Sequence, residues 1–269
     1  MSNLTKRLGE RIMELGARTG CIFADTLEEK MRVLKDLGYD FLELPLRNEE
    51  IDSMDEQYMS HICNLIRDIG FPIKSTGMSI RKFVGQSKDG GARRLVIERV
   101  MKMIDLSEKC GADVILLATC EDLPFNEYVN IYVEELSKLA DYAKDRGITL
   151  ALEHVGSYKP SMLERLVRAI DHDAVKVYFD IGNCIWQGED PIEQIHRMAD
   201  LIAQIHIKGL KRVGSKAEPA PLSQMPLAEV RNALMMHNYR GRGCLEIRPG
   251  EGSNEPLKEA LRILRQAGY

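Results

Sequence analysis

Short apolar segments alternate with longer amphipathic segments along most of the chain. The apolar segments have the length and composition of buried parallel strands, and the amphipathic segments repeat apolar residues at helical spacing. The pattern predicts strands over 16–23, 41–46, 73–79, 113–119, 148–154, 175–182, 202–209 and 241–249. It predicts helices over 25–38, 55–69, 91–111, 127–147, 161–170, 191–199, 226–237 and 255–267.

About eight strand-then-helix units require parallel strands joined by crossover helices. A closed barrel of this kind takes roughly 250 residues in one domain, and this chain has 269. An open doubly wound sheet would carry a glycine-rich phosphate loop after its first strand, and GARTGC at that place lacks the spacing. We therefore predict an α/β protein with a single (β/α)8 TIM barrel over residues 1–269. The segment 210–226, rich in Pro, Gly, Ser and Lys, is predicted to be a long loop after the seventh strand.

The formal net charge of −4 and a pI near 5.9 make the protein mildly acidic, which bears on the partners that it can bind. Proteins that bind nucleic acid usually carry a basic surface, so we expect no nucleic-acid partner. No apolar stretch reaches the roughly 20 residues that span a bilayer, so we expect no membrane partner. The amino terminus lacks the apolar core of a signal peptide, and six scattered cysteines without a CxxC pair indicate reduced thiols. These features favour a cytoplasmic protein.

Four predicted strands end in an ionisable residue where the preceding sequence predicts burial: Glu153, Asp180, His206 and Glu246. A buried carboxylate is very costly unless it is paired or binds a metal. Active sites of TIM barrels lie at the carboxyl ends of the strands, and the fifth to eighth strands are neighbours, so these side chains should converge. Three carboxylates and one imidazole suit one divalent ion, Mn²⁺ or Mg²⁺ first, with Zn²⁺ and Co²⁺ as alternatives. For each residue alone, the competing interpretation is a satisfied buried polar group.

The segments LALEH, VYFDIGN, QIHIKG and CLEI, in this order and spacing, resemble the xylose isomerase-like TIM-barrel superfamily. The resemblance is closest to its sugar-phosphate isomerase/epimerase group, which includes ketose 3-epimerases. It implies that Glu153, Asp180, His206 and Glu246 bind one divalent metal, with Mn²⁺ as our first choice. It also implies that Glu153 and Glu246 are the acid/base pair of an isomerase or epimerase that acts on a small sugar or sugar phosphate through an enediolate. Members are often dimers or tetramers, so a homo-oligomer is compatible with the sequence, although no feature forces one.

This sequence departs from the family pattern at three places, which leave the substrate open. Asn183 stands in DIGN, where the family often has histidine, and we include it among the candidate substrate-binding residues. Lys208 is followed by Gly209, where many members have Lys-Asp. PLSQMPL stands where many members have a Gly-x-Gly segment.

Three cations are candidates for binding a phosphate or carboxylate of the substrate. Residues two apart on a strand share a face, so Lys208 lies beside His206 and Arg248 beside Glu246. Arg212 belongs to the loop after the seventh strand, which together with the next loop often holds a phosphate in TIM barrels. The alternative is that Lys208 balances the carboxylates of the site and that Arg248 forms a surface ion pair.

Three further residues have weaker positional arguments. Glu43, near the end of the second strand, is a candidate for binding a substrate hydroxyl. Trp186 could cover the substrate from the loop after the sixth strand, or pack against a helix. His154 is adjacent to Glu153 on a strand and therefore faces the opposite way, behind the barrel wall.

Three rival functions use the same scaffold. A dehydratase would form the same enediolate and lose a β-hydroxyl, as related branches do with inososes and dehydroshikimate. A metal-dependent DNA-repair endonuclease would need more metal-binding histidines and a basic groove. A catalytically silent binding protein would have no reason to keep all four metal-type residues.

Overall fold

The computed structural model describes residues 13–85 and 91–269. Eight parallel strands close into a barrel, in which β10 pairs with both β7 and β1. The barrel strands are β1 (Leu15–Arg18), β2 (Phe41–Pro45), β3 (Ile73–Ser79), β4 (Val114–Thr119), β5 (Thr149–His154), β6 (Val175–Asp180), β7 (Ile202–Ile207) and β10 (Arg242–Leu245). The prediction of a single (β/α)8 TIM barrel is confirmed.

The helices lie between the strands along the chain, as the amphipathic segments predicted. Their bounds are α1 (Leu27–Leu37), α2 (Asn48–Asp52), α3 (Glu56–Ile69), α4 (Gly91–Cys110), α5 (Phe125–Lys144), α6 (Pro160–Ile170), α7 (Ile181–Trp186), α8 (Pro191–Met198), α9 (Leu227–Met236) and α10 (Glu255–Gln266). Thr26 caps α1 in a reciprocal capping box with Glu29. Gly38 ends α1 in the left-handed conformation that glycine adopts without steric cost.

Most apolar side chains pack between the barrel and the surrounding helices, and a small apolar cluster around Leu116 and Tyr178 lies apart from that main core. A polar group adjoins this second cluster. Glu43 pairs in register with Ser75, and Tyr178 pairs with Gln204. All four side chains are fully buried, and they form hydrogen bonds with one another. This buried polar layer meets the functional side chains through Glu43.

Several predicted boundaries are wrong, and four predicted strands, the seventh (which ends at Ile207) among them, run two or more residues too far. The first strand ends at Arg18 and continues as a 3₁₀ turn over Thr19–Cys21. The sixth strand ends at Asp180, because the Asp180 carboxylate caps the next helix by accepting a hydrogen bond from the Asn183 backbone N–H at 2.7 Å. The last strand ends at Leu245, so the residues that follow it belong to a loop.

The predicted long loop over 210–226 is also wrong. It contains an antiparallel hairpin of β8 (Leu210–Val213) and β9 (Lys216–Pro219), followed by a 3₁₀ turn over Leu222–Gln224. The composition pointed to a loop because polar and turn-forming residues predominate, but a two-residue turn that includes Gly214 needs such residues. Among the described residues, no helix is long and apolar enough to cross a membrane.

Gly209 joins β7 to this hairpin at a point where the backbone of Ala220 passes very close. The Ala220 backbone N–H donates to the Gly209 oxygen at 3.0 Å, and a methyl group on Gly209 would overlap the backbone oxygen of Ala220. We expect Gly209→Ala to lower the free energy of unfolding by about 1–3 kcal/mol, because relief requires a backbone shift. Urea denaturation followed by circular dichroism measures it. Gly20→Ala is the matched control, since nothing lies near its added methyl group. Equal stability of both variants would contradict the tight crossing.

Candidate active site

The four metal-type residues predicted from the strand ends lie together at the carboxyl end of the barrel. Glu153 is on β5, Asp180 ends β6, His206 is on β7, and Glu246 directly follows β10. One ligand atom from each lies within 4.8 Å of every other. Neighbouring parallel strands therefore bring together side chains that lie up to 93 positions apart in the sequence, counting from 153 to 246.

The His206 ring is the centre of this group. Its Nδ1 atom lies 2.8 Å from a Glu153 oxygen, 3.4 Å from Glu246 and 3.7 Å from Asp180. Burial alone would lower the pKa of His206, but the carboxylates of Glu43, Glu153 and Glu246 raise it well above its usual range. Three carboxylates this close in a buried site repel one another, so the group requires positive charge at its centre.

The donor set fits a divalent cation. Carboxylate and imidazole groups are the ligands that Mg²⁺, Mn²⁺ and Zn²⁺ accept in proteins. The Oδ2 atom of Asp180 is buried and accepts no hydrogen bond of good geometry, although the Lys208 ammonium lies 2.8 Å away. An oxygen in this state has a lone pair available for an ion.

A second group of metal-type residues, Glu43, His206 and Cys244, is less suitable, because burial raises the pKa of the Cys244 thiol and both Glu43 oxygens already have partners.

Two cations balance the carboxylates from opposite sides. Lys208 lies 2.8 Å from Asp180 and 2.9 Å from Glu246. Burial would lower the pKa of Lys208, but these carboxylates raise it above its usual range. Arg18 lies 2.7 Å from Glu246 and 3.2 Å from Glu43. Sequence reasoning missed Arg18, because the predicted first strand ran to residue 23 and placed Arg18 inside it, whereas the strand ends at Arg18.

Glu153 and Glu246 have opposite pKa shifts. Burial raises the pKa of Glu153 above its usual range, and the nearby His206 only partly offsets it. For Glu246 burial acts in the same direction, but His206, Lys208 and Arg18 outweigh it and lower the pKa. The difference arises because Glu246 contacts two permanent cations. The surroundings therefore favour protonation of Glu153 relative to Glu246.

Glu43 does not face the substrate space, which corrects the expectation that it binds a hydroxyl. It is fully buried, and its Oε1 atom lies 3.0 Å from His206 Nε2. Its Oε2 atom accepts hydrogen bonds from the hydroxyl groups of Tyr178 at 2.5 Å and Ser75 at 3.1 Å. Burial would raise the pKa of Glu43, but His206 and Arg18 lower it to about 2. Glu43 is thus an ionised carboxylate that holds the His206 ring from behind, so that Nδ1 faces the other carboxylates.

His154 and Asn183 form a second support, beside Asp180. His154 is fully buried, and burial lowers its pKa to about 4, so the ring is neutral. Its Nε2 atom accepts a hydrogen bond from the Asp180 backbone N–H at 3.2 Å, which leaves Nδ1–H to donate to Gln187. Asn183 donates its backbone N–H to Asp180 and its side-chain amide to the His154 oxygen. The structure therefore places Asn183 against protein groups that orient Asp180.

A cavity of about 600 Å³, here called the central cavity, opens at the metal-type residues. Glu153, Lys208, Glu246 and Arg18 line it. Residues after β2 and near the end of β3 also line it, including Arg47, Asn48, Ser79 and Arg81. A cavity of about 740 Å³ lies at the other end of the barrel, away from these ligands.

The structure does not bring all the predicted substrate-binding residues to the central cavity. Arg212 and Trp186 line a separate cavity of about 200 Å³. Arg248 is exposed and lines a third cavity of about 570 Å³, which also has Lys208 and Glu246 in its wall. Arg212 thus lies apart from Lys208 and Arg248, and Lys208 contacts the carboxylates of Asp180 and Glu246.

If Glu43 holds His206 in place, Glu43→Gln should weaken divalent-metal binding by about 10- to 100-fold, as loss of such supporting groups typically does. Isothermal titration calorimetry with Mn²⁺ or Zn²⁺ measures this, and circular dichroism checks the fold. Ser75→Ala is the matched control, because it removes one hydrogen bond to Glu43 and keeps its charge. Unchanged metal affinity in folded Glu43→Gln would contradict the supporting role.

Comparison with curated proteins gives distant relatives. An inosose dehydratase of Lacticaseibacillus casei is 29% identical over 117 residues, which are 42% of this chain and 38% of the relative. A putative L-ribulose-5-phosphate 3-epimerase of Escherichia coli K12 is 25% identical and is matched over 88% of each chain. The match to the first-named relative thus spans well under half of its length.

Solved structures of low identity share the fold. D-psicose 3-epimerase from Clostridium cellulolyticum H10 superposes with a TM-score of 0.77 at 14% identity, over 95% of this chain and 99% of that one. The IolI protein with a bound zinc atom gives 0.74 at 16%, over 95% and 96%. A Mycobacterium smegmatis barrel in complex with magnesium gives 0.72 at 19%, over 96% and 98%. The family model for the xylose isomerase-like TIM barrel matches residues 31–267, and the chain therefore belongs to that family.

Proposed function

We propose that this protein is a divalent-metal-dependent isomerase or epimerase of a small sugar or sugar phosphate, which acts through an enediolate. The observation that carries the proposal is the convergence of Glu153, Asp180, His206 and Glu246 at the barrel mouth. Burying several carboxylates together costs free energy, and a bound divalent ion would offset that cost, since carboxylates and imidazole are donors that such ions accept. We propose a single domain over residues 1–269 for this activity.

Mn²⁺ is our first choice of ion, with Mg²⁺, Co²⁺ or Zn²⁺ as alternatives, because three carboxylates and one imidazole are mostly hard donors. Two structures of the same fold contain zinc or magnesium, which supports a divalent ion in this protein. When bound, the ion would hold neighbouring carbonyl and hydroxyl oxygens of the substrate and stabilise the negative charge that develops on them. Asp180 and His206 serve only as ligands in this proposal.

Glu153 and Glu246 are the proposed acid/base pair, since both line the central cavity beside the ligand position. Glu246, kept ionised by Arg18 and Lys208, is ready to remove the proton next to the carbonyl. Glu153, whose pKa burial raises, is ready to return a proton from the other side. The roles exchange in the reverse reaction. Groups whose environments push their pKa values apart suit an acid/base pair.

The remaining substrate contacts that we propose are polar side chains in the wall of the central cavity. Arg47, Asn48, Ser79 and Arg81 offer donors to hydroxyl or phosphate groups there. Lys208, which lines the central cavity, stays the proposed contact for a phosphate or carboxylate of the substrate. Arg212 and Trp186 line a separate cavity and Arg248 lines another, so they would contact only a substrate that extends beyond the central cavity. Glu43 and Asn183 are proposed to orient His206 and Asp180 instead. Equal catalytic efficiency on free and phosphorylated forms of one sugar would exclude an anion-binding role.

A cytoplasmic enzyme with a small-molecule substrate, and without a nucleic-acid or membrane partner, is the setting we propose. All six cysteines are free thiols, and five of them are buried, which suits a reducing compartment. A DNA-repair endonuclease is less well supported, because His206 is the one histidine in the metal-type groups among the described residues.

A dehydratase is the second candidate, and the inosose dehydratases among the curated relatives favour it. The same carboxyl pair would remove a proton and then assist loss of a β-hydroxyl. Mass spectrometry of the products of a ketose and an inosose separates the two functions, because dehydration removes one water and epimerisation leaves the mass unchanged. An inosose product lighter by one water, together with no new ketose epimer on chromatography, would overturn the epimerase proposal.

Incubation with ketoses in D₂O tests the proposed proton transfer directly. With a stoichiometric divalent ion bound, we expect deuterium to enter at the carbon beside the carbonyl, detected by NMR. Glu246→Gln should reduce the exchange rate by about 10²- to 10⁴-fold, because it removes one proton-transfer group.

The control for this exchange experiment is Glu28→Gln, a change at an exposed carboxylate paired with Arg32 on α1. It should leave the exchange rate unchanged. If Glu246→Gln exchanged deuterium as fast as the parent protein, the proposed role of Glu246 would fail.

A further inference from the structure

The cavity of about 570 Å³, here called the side lobe, adjoins the central cavity at the metal-type residues. Lys208 and Glu246 line both cavities, so the two cavities meet at this ion pair. The other walls of the side lobe come from the β8–β9 hairpin, the turn after it and helix α10. A group held in the side lobe would therefore lie next to the reacting position.

The walls of the side lobe are mainly apolar. Leu210, Leu222, Ile247 and Ile263 contribute hydrocarbon surface to it. A sugar ring carries hydroxyl groups that need hydrogen-bond partners when they leave water. Apart from Lys208 and Glu246, the charged residues in the wall are the exposed Arg248 and Glu259, and Glu259 is engaged by Arg262 at 2.6 Å. The side lobe thus suits an apolar group better than a second sugar.

Phosphate is also a poor match, although the loops after the last two strands of a TIM barrel often bind it. Phosphate sites in these loops use backbone N–H donors. Three wall positions, Pro219, Pro221 and Pro256, are prolines and have no backbone N–H. These three positions therefore cannot supply the backbone hydrogen bonds that a bound phosphate would need.

We propose that the side lobe binds an alkyl or aryl substituent of the substrate, so that the substrate is a substituted sugar that keeps a carbonyl on its ring, such as a keto-glycoside. This inference rests on the proposed function, since it places the sugar at Glu153 and Glu246 and its apolar substituent across the Lys208–Glu246 pair. Substrates with such a substituent would then bind more tightly than a free sugar, because only they fill the side lobe.

The test uses the full chain loaded with Mn²⁺ and a series of n-alkyl β-D-glucopyranosides from methyl to hexyl as probes. Isothermal titration calorimetry should show binding that tightens by up to about fourfold per added methylene, the value for a fully buried CH₂. Dissociation constants that stay within twofold across the series would overturn the proposal.

The variant Ala217→Trp tests whether the dependence on alkyl chain length arises in the side lobe. Ala217 is exposed on β9 and lines the side lobe, so a larger side chain should fill the side lobe without loss of the fold. We expect this variant to lose the chain-length dependence and to bind the methyl glycoside as before. Lys216→Trp is the matched control, because adjacent strand residues face opposite ways. If Ala217→Trp still bound longer alkyl chains more tightly than shorter ones, the alkyl chain would not bind in the side lobe.

Metal binding and deuterium exchange, measured on the same proteins, separate this inference from the proposed function. Ala217→Trp should change neither the metal affinity nor exchange with an unsubstituted ketose. Chain-length dependence in a protein that neither binds metal nor exchanges deuterium would refute the proposed function and leave the side lobe as an apolar binding site. Exchange without chain-length dependence would refute only the side lobe.

Discussion

The mutual repulsion of buried carboxylates is the constraint on which the site depends. Glu43, Glu153 and Asp180 are nearly inaccessible to water, and Glu246 lies beside them. In a low-dielectric interior this arrangement survives only if cations lie between them. The protein supplies positive charge from the first and seventh strands, and the proposed divalent ion would complete the balance. The closed barrel makes this arrangement possible because it directs neighbouring strand ends at one point.

The strand β7 and the residues after it show how the fold meets this constraint. His206 lies between Glu43 on one side and Glu153 on the other, and it is fully buried. Two residues later, Lys208 bridges Asp180 and Glu246. Beneath them, Glu43 connects to the buried polar layer of the barrel, whose hydrogen bonds fix the His206 ring. Satisfied polar networks of this kind rigidify a site, whereas an unpaired member would be costly.

Most of the fold and the convergence of the four metal-type residues could be predicted from the sequence, since both follow from local patterns. Strand periodicity gave the barrel, and Glu153 and Asp180 stood out as charges at the ends of apolar runs. The environment of Glu43 could not be predicted, because its partners come from β3, β6 and β7, and pairing across a barrel leaves no local signature. The hairpin after β7 was missed because its strands lack alternation of apolar and polar residues. The separation of Arg212 from Arg248 depends on the path of that hairpin.

The most direct test of the central claim is a crystal structure of the protein with Mn²⁺, with the ion located by anomalous scattering. We expect one strong anomalous-difference peak at about 2.0–2.2 Å from oxygens of Glu153, Asp180 and Glu246 and from the Nδ1 atom of His206. The absence of a peak there at millimolar Mn²⁺, with the His206 ring still bonded to Glu153, would contradict it. The four residues would then be a structural ion-pair network.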